Sequence, residues 1–213
     1  MSAAGKSTNP RLAIVLLAAG EGSRMGSIPK ALLRKDGKSL LEAFCLSVDA
    51  IDPVEFLVVT GFHAQAIESE LSSLVKQLKT PVIVIQNLNP DQGQGSSVRL
   101  ALESLKSDFD VLAVCLSDQP NVGAQELHAL LNEFDRRNSL EQMVMPQVNG
   151  QRGNPVLFSK KAIETILSKP GMACRTFMDQ HPELIKVYET DNPVYILDVD
   201  TEADIQKFGI TRN

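Results

Sequence analysis

An unbroken apolar run, Leu12–Ala18, stops at Ala19-Gly20, and two further glycines, Gly22 and Gly26, follow within a few residues. The run is too short for a helix and has the β-branched content of a buried strand. Three more runs share its character, Glu55–Thr60, Val82–Gln86 and Val111–Leu116, each bounded by Gly, Pro or Asp. Between them, residues 40–48, 64–78 and 97–105 carry helical periodicity; the second stretch places Ile67, Leu71, Leu74, Val75 and Leu78 on one face. Short buried strands alternating with helices imply a parallel sheet covered on both sides. The expected fold is therefore a three-layer α/β/α sandwich on a mostly parallel, twisted, Rossmann-like sheet.

The second half is less regular. It reads as a helix over 123–136, extended pieces at Met143–Val148 and 155–158, helices at Lys160–Leu167 and 175–180, strands at Ile185–Glu189 and 195–199, and a closing helix over 202–208. No linker rich in Pro, Gly or Ser divides the chain, and no fixed-period repeat is visible. With 213 residues, 43% of them apolar, one domain over residues 11–213 is expected behind a mobile polar lead-in at 1–10.

Lys and Arg number 21 against 26 Asp and Glu, a net charge of −5. The basic residues are scattered, so the broad electropositive face of a nucleic-acid binder is not expected. No stretch approaches the ~18 uninterrupted apolar residues of a membrane span, and the N-terminus lacks the apolar core of a signal peptide. The expected compartment is the cytoplasm. Cys45, Cys115 and Cys174 are odd in number, widely spaced and without CxxC pairs, so they read as buried reduced thiols rather than disulfides or zinc ligands.

The segment from Leu17 through Ala18, Ala19, Gly20, Gly22 and Ser23 to Arg24 and Lys30 carries the clearest chemical signal. Small residues after a strand let backbone approach a ligand, and successive N–H groups can face phosphate oxygens. Arg24 adds a planar fork and Lys30 a compact charge, a pair suited to a polyphosphate. The spacing is GxGxxxG rather than GxGxxG, and no acidic residue follows a second strand as a dinucleotide site requires. Gly5-Lys6-Ser7-Thr8 imitates the end of a Walker A loop but lacks its first glycine and its strand.

Asp118 stands where the run Val111–Leu116 stops, on the sheet edge where the glycine loop is also expected. Asp198 and Asp200, spaced by two, face the same side if their strand stays regular. Asp118 with Asp200 could hold Mg²⁺, which takes one or two carboxylates plus phosphate oxygens and water. The structural alternatives are Asp118 as a turn former before Pro120, and Asp200 or Thr201 as the cap of the last helix. His63 reads as loop packing and Cys174 as an unreactive thiol.

Taken together, LAAGEGSRMGSIPKALL from Leu17, the turn Gln92-Gly93-Gln94-Gly95-Ser96-Ser97, Leu116-Ser117-Asp118-Gln119-Pro120, Arg152-Gly153-Asn154-Pro155 and Asp198-Val199-Asp200-Thr201 resemble the molybdenum cofactor nucleotidyltransferases. Within the MobA-like superfamily, the resemblance is to the MocA-type cytidylyltransferases. It implies that Leu17, Ala18, Ala19, Gly20, Gly22 and Ser23 line a nucleotide and that Arg24 and Lys30 neutralise its triphosphate. It further implies that Gly95, Ser96 and Ser97 sit near base and ribose, that Asp118 and Asp200 hold Mg²⁺, and that Gly153, Asn154 and Arg175 face the acceptor. The chain departs from the common pattern at Ser117, where many relatives carry Gly, and at Asn154, where many carry His.

The implied reaction transfers CMP from CTP to the terminal phosphate of molybdopterin, releasing pyrophosphate, with a molybdenum hydroxylase apoenzyme as eventual recipient. Three alternatives stand beside it: the same chemistry on a sugar or polyol phosphate, GTP in place of CTP, or a binding protein that delivers the matured cofactor to a hydroxylase. Ala19, where the guanylyl branch has Gly, favours the cytidylyl branch.

Overall fold

The computed structural model describes residues 10–212; the Walker-like tetrapeptide and residues 1–9 of the expected lead-in lie outside them. The chain runs β1 (Leu12–Ala18), β2 (Arg34–Lys35), β3 (Lys38–Ser39), α1 (Leu40–Asp49), β4 (Glu55–Thr60), α2 (Ala64–Leu74), β5 (Val82–Gln86) and α3 (Gln94–Ser104). It continues through β6 (Val111–Leu116), α4 (Ala124–Asp135), β7 (Met143–Val148), β8 (Gln151–Arg152), β9 (Val156–Ser159), α5 (Lys160–Leu167), α6 (Cys174–Gln180), β10 (Ile185–Glu189) and α7 (Glu202–Lys207). The main sheet has the order β10-β7-β9-β6-β1-β4-β5, with β8 hydrogen-bonded to β7.

Strand β1 is the centre and is buried along its whole length. Its alternate side chains serve two cores. Ile14 and Leu16 join Phe44, Ile67 and Leu127 from α1, α2 and α4, whereas Ala13, Val15 and Leu17 join Val98, Ile163 and Phe177 from α3, α5 and α6. Burial on both faces is why the run has no polar alternation. The expected α/β/α sandwich is the observed fold.

Strand β9 is antiparallel to both β6 and β7, which makes the sheet mixed. The cause is local. Asn149 and Gly150 both have positive φ, 50° and 80°, and Val148 pairs with Gln151 across them, the arrangement of a two-residue Asn-Gly hairpin. The chain therefore reverses after β7.

The strand expected over 195–199 does not form. Pro193–Ile196 is instead a 3₁₀ turn whose start is capped by Asn192, which accepts from the Val194 N–H. The Tyr195 carbonyl accepts from Gln119 Nε2 and from the Asn154 N–H, so this backbone is taken by loop bonds rather than a ladder. Helix α3 begins at Gln94, earlier than its apolar period suggests, after Gly93 at φ 87°.

Glu55, 4% exposed, opens β4 and accepts from the N–H groups of Lys106 and Ser107 in the α3–β6 connection. Glu55→Ala leaves two donors without their carboxylate, and is expected to cost about 2 kcal/mol of unfolding free energy. A urea-unfolding midpoint unchanged from wild type would contradict this role. Among the described residues, no helix is long and apolar enough to cross a membrane.

Candidate active site

Sequence order reverses around β1: β4 and β5 extend the sheet on one side and β6 on the other. The carboxyl ends of β1 and β6 are thus adjacent, the position where open α/β sheets gather ligands. Leu17 is in register with Leu116, and the Ser117 N–H donates to the Leu17 carbonyl at 3.1 Å. That pairing delivers Asp118 to the foot of the glycine loop.

The loop itself is tightly folded. Gly22 has φ 67° and its carbonyl accepts from the N–H groups of Met25 and Ser27, at 3.0 and 3.1 Å. Met25 drops into a small core with Leu33, Leu40, Val199, Ile205 and Ile210. The same core buries Val199, and so fixes the segment carrying its neighbours Asp198 and Asp200. His63 Nε2 donates to the Glu21 carbonyl at 2.8 Å, bracing the loop against the start of α2; loop packing is its role.

Lys30, half-buried, connects the carboxylates. Its Nζ lies 3.0 Å from Asp118 Oδ2 and 2.6 Å from Asp200 Oδ1. Arg24 reaches the other oxygen of Asp200 at 2.8 Å from the solvent side. Burial disfavours the ammonium, but the field of Asp118 and the hydrogen bond the ammonium donates to Asp200 outweigh it, so its pKa is held above the ordinary range. Asp198 is pushed up to about 6, first by burial and then by the negative fields of Asp118 and Asp200. Its Oδ1 is buried with no hydrogen-bond partner. Thr201 caps α7 through the Asp204 N–H, which leaves the Asp200 carboxylate to the site.

One cavity of about 620 Å³ receives Leu17, Ala18, Ala19, Gly20, Gly22, Ser23, Arg24, Lys30, Ser97, Asp118, Asn154, Arg175 and Asp200. Asp198 lines it together with Asp200, although their segment is not a strand. Gly95, Ser96 and Gly153 stand outside the lining, each for a visible reason. The Ser96 hydroxyl donates to the Gly93 carbonyl at 2.7 Å, and a Cβ on Gly95 would point at Ala173, 3.5 Å away. A Cβ on Gly153 would lie 2.7 Å from the Tyr195 carbonyl oxygen, so this glycine is needed for close backbone packing.

Gly93 and Gln94 line the cavity in place of Gly95 and Ser96. Position along the chain does not single them out; the positive φ of Gly93, which turns the chain into α3, is the feature that does. A smaller adjoining cavity of about 180 Å³ takes in Gly153, with Asn154, Arg152 and Arg175 and the apolar Met145, Phe158 and Met178. Cys174 is there too, but burial pushes its thiol up to about 12, and all three cysteines are free and buried. An uncharged thiol of this kind is not a nucleophile.

The family model for the MobA-like NTP transferase domain matches residues 14–184. The chain belongs to the MobA-like NTP transferase family. The match runs from within β1 to the residue before β10 and includes the glycine loop and Asp118. The bifunctional protein GlmU of Rhodococcus jostii is 32% identical over 124 residues, covering 57% of this MobA-like chain and 24% of GlmU. The chain thus spans about a quarter of that relative's length. Among solved structures, Rv0371c of Mycobacterium tuberculosis H37Rv has a TM-score of 0.70 at 22% identity, covering 94% and 98% of the two chains; the same protein has also been solved in complex with manganese. The inositol-1-phosphate CTP transferase of T. maritima has a TM-score of 0.61 at 16% identity, covering 92% of each chain. At these identities the structural likeness establishes the fold.

Proposed function

We propose that this chain transfers CMP from CTP to the terminal phosphate of molybdopterin, releasing pyrophosphate, in the cytoplasm and for the maturation of molybdenum hydroxylases. The observation that carries nucleotidyl transfer is the Lys30 ammonium between Asp118 and Asp200 beneath the glycine loop, in one cavity. A phosphate monoester has a second pKa of about 6 and is largely dianionic at pH 7, so it attacks without a general base. No histidine is among the described residues lining the cavity. An acceptor phosphate oxygen bonds the α-phosphorus of CTP, the bond from that phosphorus to the bridging oxygen breaks, and pyrophosphate leaves with the electron pair. Arg24, Lys30 and the loop N–H groups bring the two anions together and stabilise charge on the transferring and leaving groups.

The donor set fits a divalent cation. Two carboxylates already share a cation, and beside them lies a buried carboxylate oxygen without a partner. Asp118 and Asp200, both bonded to Lys30, suit Mg²⁺, which completes its shell with phosphate oxygens and water. When bound, it supplies charge neutralisation of the triphosphate.

The adjoining cavity supports the choice of acceptor. Met145, Phe158 and Met178 offer apolar surface to the face of a flat ring, and Arg152, Asn154 and Arg175 offer polar partners to the ring's edge and to a phosphate. Pyrophosphate release tests the reading, with each of CTP, GTP, ATP and UTP plus Mg²⁺, with and without molybdopterin. The expected result is release with CTP that requires molybdopterin. Release driven by a sugar or polyol phosphate, with silence on molybdopterin, would reject the acceptor. Preference for GTP would reject the nucleotide. Tight molybdopterin binding without turnover would favour a delivery protein.

A further inference from the structure

The cavity wall formed by the start of α3 contributes Pro90, Gly93, Gln94 and Ser97 and no charged side chain. It differs in this from the loop bearing Arg24 and Lys30, and so matches the uncharged portion of a nucleotide. Behind it sits Asn87, 6% exposed, immediately after β5. Its backbone N–H donates to the Thr60 carbonyl at 2.9 Å, which ties it to the sheet.

The hydrogen bonds around Asn87 determine which way its amide points. The Asn89 backbone N–H lies 2.9 Å from one side-chain atom, and since that group can only donate, the atom is Oδ1. The amide nitrogen must then face α3, where it donates one hydrogen to Ser96 Oγ and the other to Ser97 Oγ, both at 2.9 Å. Each serine hydroxyl has one proton left to place. Ser96 gives its proton to the Gly93 carbonyl. Among the described residues, none accepts the proton of Ser97, which is 2% exposed and lines the cavity.

We infer that Asn87 is a positioning residue that forces the Ser97 hydroxyl to act as a donor into the cavity, toward an acceptor atom on the base or ribose of the bound nucleotide. The inference rests on the nucleotidyltransferase reading and adds to it a polarity: Ser97 offers a proton, not a lone pair, and Asn87 decides which. Asn87→Asp keeps the shape and the Asn89 contact but presents an oxygen to both serines. Ser97 would then donate backward to the carboxylate and turn lone pairs toward the ligand.

The test is a double-mutant cycle on direct nucleotide binding, by calorimetry on the full chain with CTP and Mg²⁺ and no acceptor. Ser97→Ala and Asn87→Asp are each expected to weaken binding about tenfold, the worth of one well-made hydrogen bond. The double variant is expected to lose about tenfold as well, because both changes remove the same bond. In steady-state assays the loss should appear in the KM for nucleotide with kcat little changed. Independent effects that multiply, or Ser97→Ala binding within about twofold of wild type, would overturn the inference; the second result decides even if Asn87→Asp does not fold. If the wild-type chain binds another triphosphate instead of CTP, the cytidine assignment falls, and the cycle run on that nucleotide supports or overturns the role of Asn87 in the same way. Binding of no triphosphate overturns both the inference and the function.

Discussion

Lys30→Ala is expected to lower the rate of nucleotidyl transfer by about a hundredfold or more, while the protein remains folded. The size follows from what the ammonium does. Its nitrogen bonds both Asp118 and Asp200, and its half-buried position weakens competition from water, so its field on a developing phosphate charge is poorly screened. Its removal leaves Asp118, Asp198 and Asp200 facing an incoming triphosphate with Arg24 at their solvent side. The fold survives because the local turn is held by backbone: Leu32 N–H donates to the Pro29 carbonyl and Leu33 N–H to the Lys30 carbonyl, at 2.8 and 3.1 Å, and Ala31 and Leu33 are buried. Lys30→Arg is expected to recover little, since a planar fork does not occupy the point where two carboxylates converge on one nitrogen. Pyrophosphate release with circular dichroism checks both halves. Turnover near wild type in Lys30→Ala would remove the residue from the reaction.

Much of this site is legible in the sequence because its elements are buried on both faces. Leu12–Ala18 and Val111–Leu116 pair in the sheet, and once they are recognised as neighbouring strands, the glycine loop and Asp118 must share an edge. The rest is set by side-chain and backbone bonds with no periodicity. Pro193 and the capping Asn192 wind a 3₁₀ turn where an apolar run suggests a strand, yet Asp198 and Asp200 still face the cavity because Val199 is anchored in the small core beneath Met25. Asn149-Gly150 is a hairpin signal present in the sequence, and it reverses β9. Gly95 and Ser96 are expected at the nucleotide from their motif, whereas the turn of the chain at Gly93 brings Gln94 and Ser97 to the cavity. Asn87 carries no sequence signal, since its role exists only once β5 and α3 are side by side.

The glycine loop divides into positions that serve the backbone and positions that serve a ligand, and Gly22→Ala is expected to be the most damaging single substitution in it. Gly22 combines φ 67° with a close approach: a Cβ there would lie 2.3 Å from the Ile28 carbonyl oxygen and 3.2 Å from its nitrogen. The left-handed conformation alone costs a non-glycine residue about 1 kcal/mol, and the obstacle is backbone, which cannot rotate away as a side chain could. Relief requires moving Ile28, and with it Pro29 and Lys30, or opening the bonds from Met25 and Ser27 to Gly22. Either movement displaces Lys30 from Asp118 and Asp200, so a loss of about a hundredfold in turnover is expected, together with a lower melting temperature. Gly26 has φ 81° but open space around its Cβ position, so Gly26→Ala should show the conformational cost and retain most activity. Gly20 has neither a positive φ nor a neighbour within 4 Å, and it lines the cavity. Gly20→Ala is therefore expected to melt like wild type while binding nucleotide more weakly, because the added methyl occupies space the ligand needs. Melting temperature and nucleotide affinity, measured on the three variants side by side, separate the two kinds of glycine; equal behaviour at positions 20 and 22 would contradict the assignment of Gly22 as the residue that folds the loop.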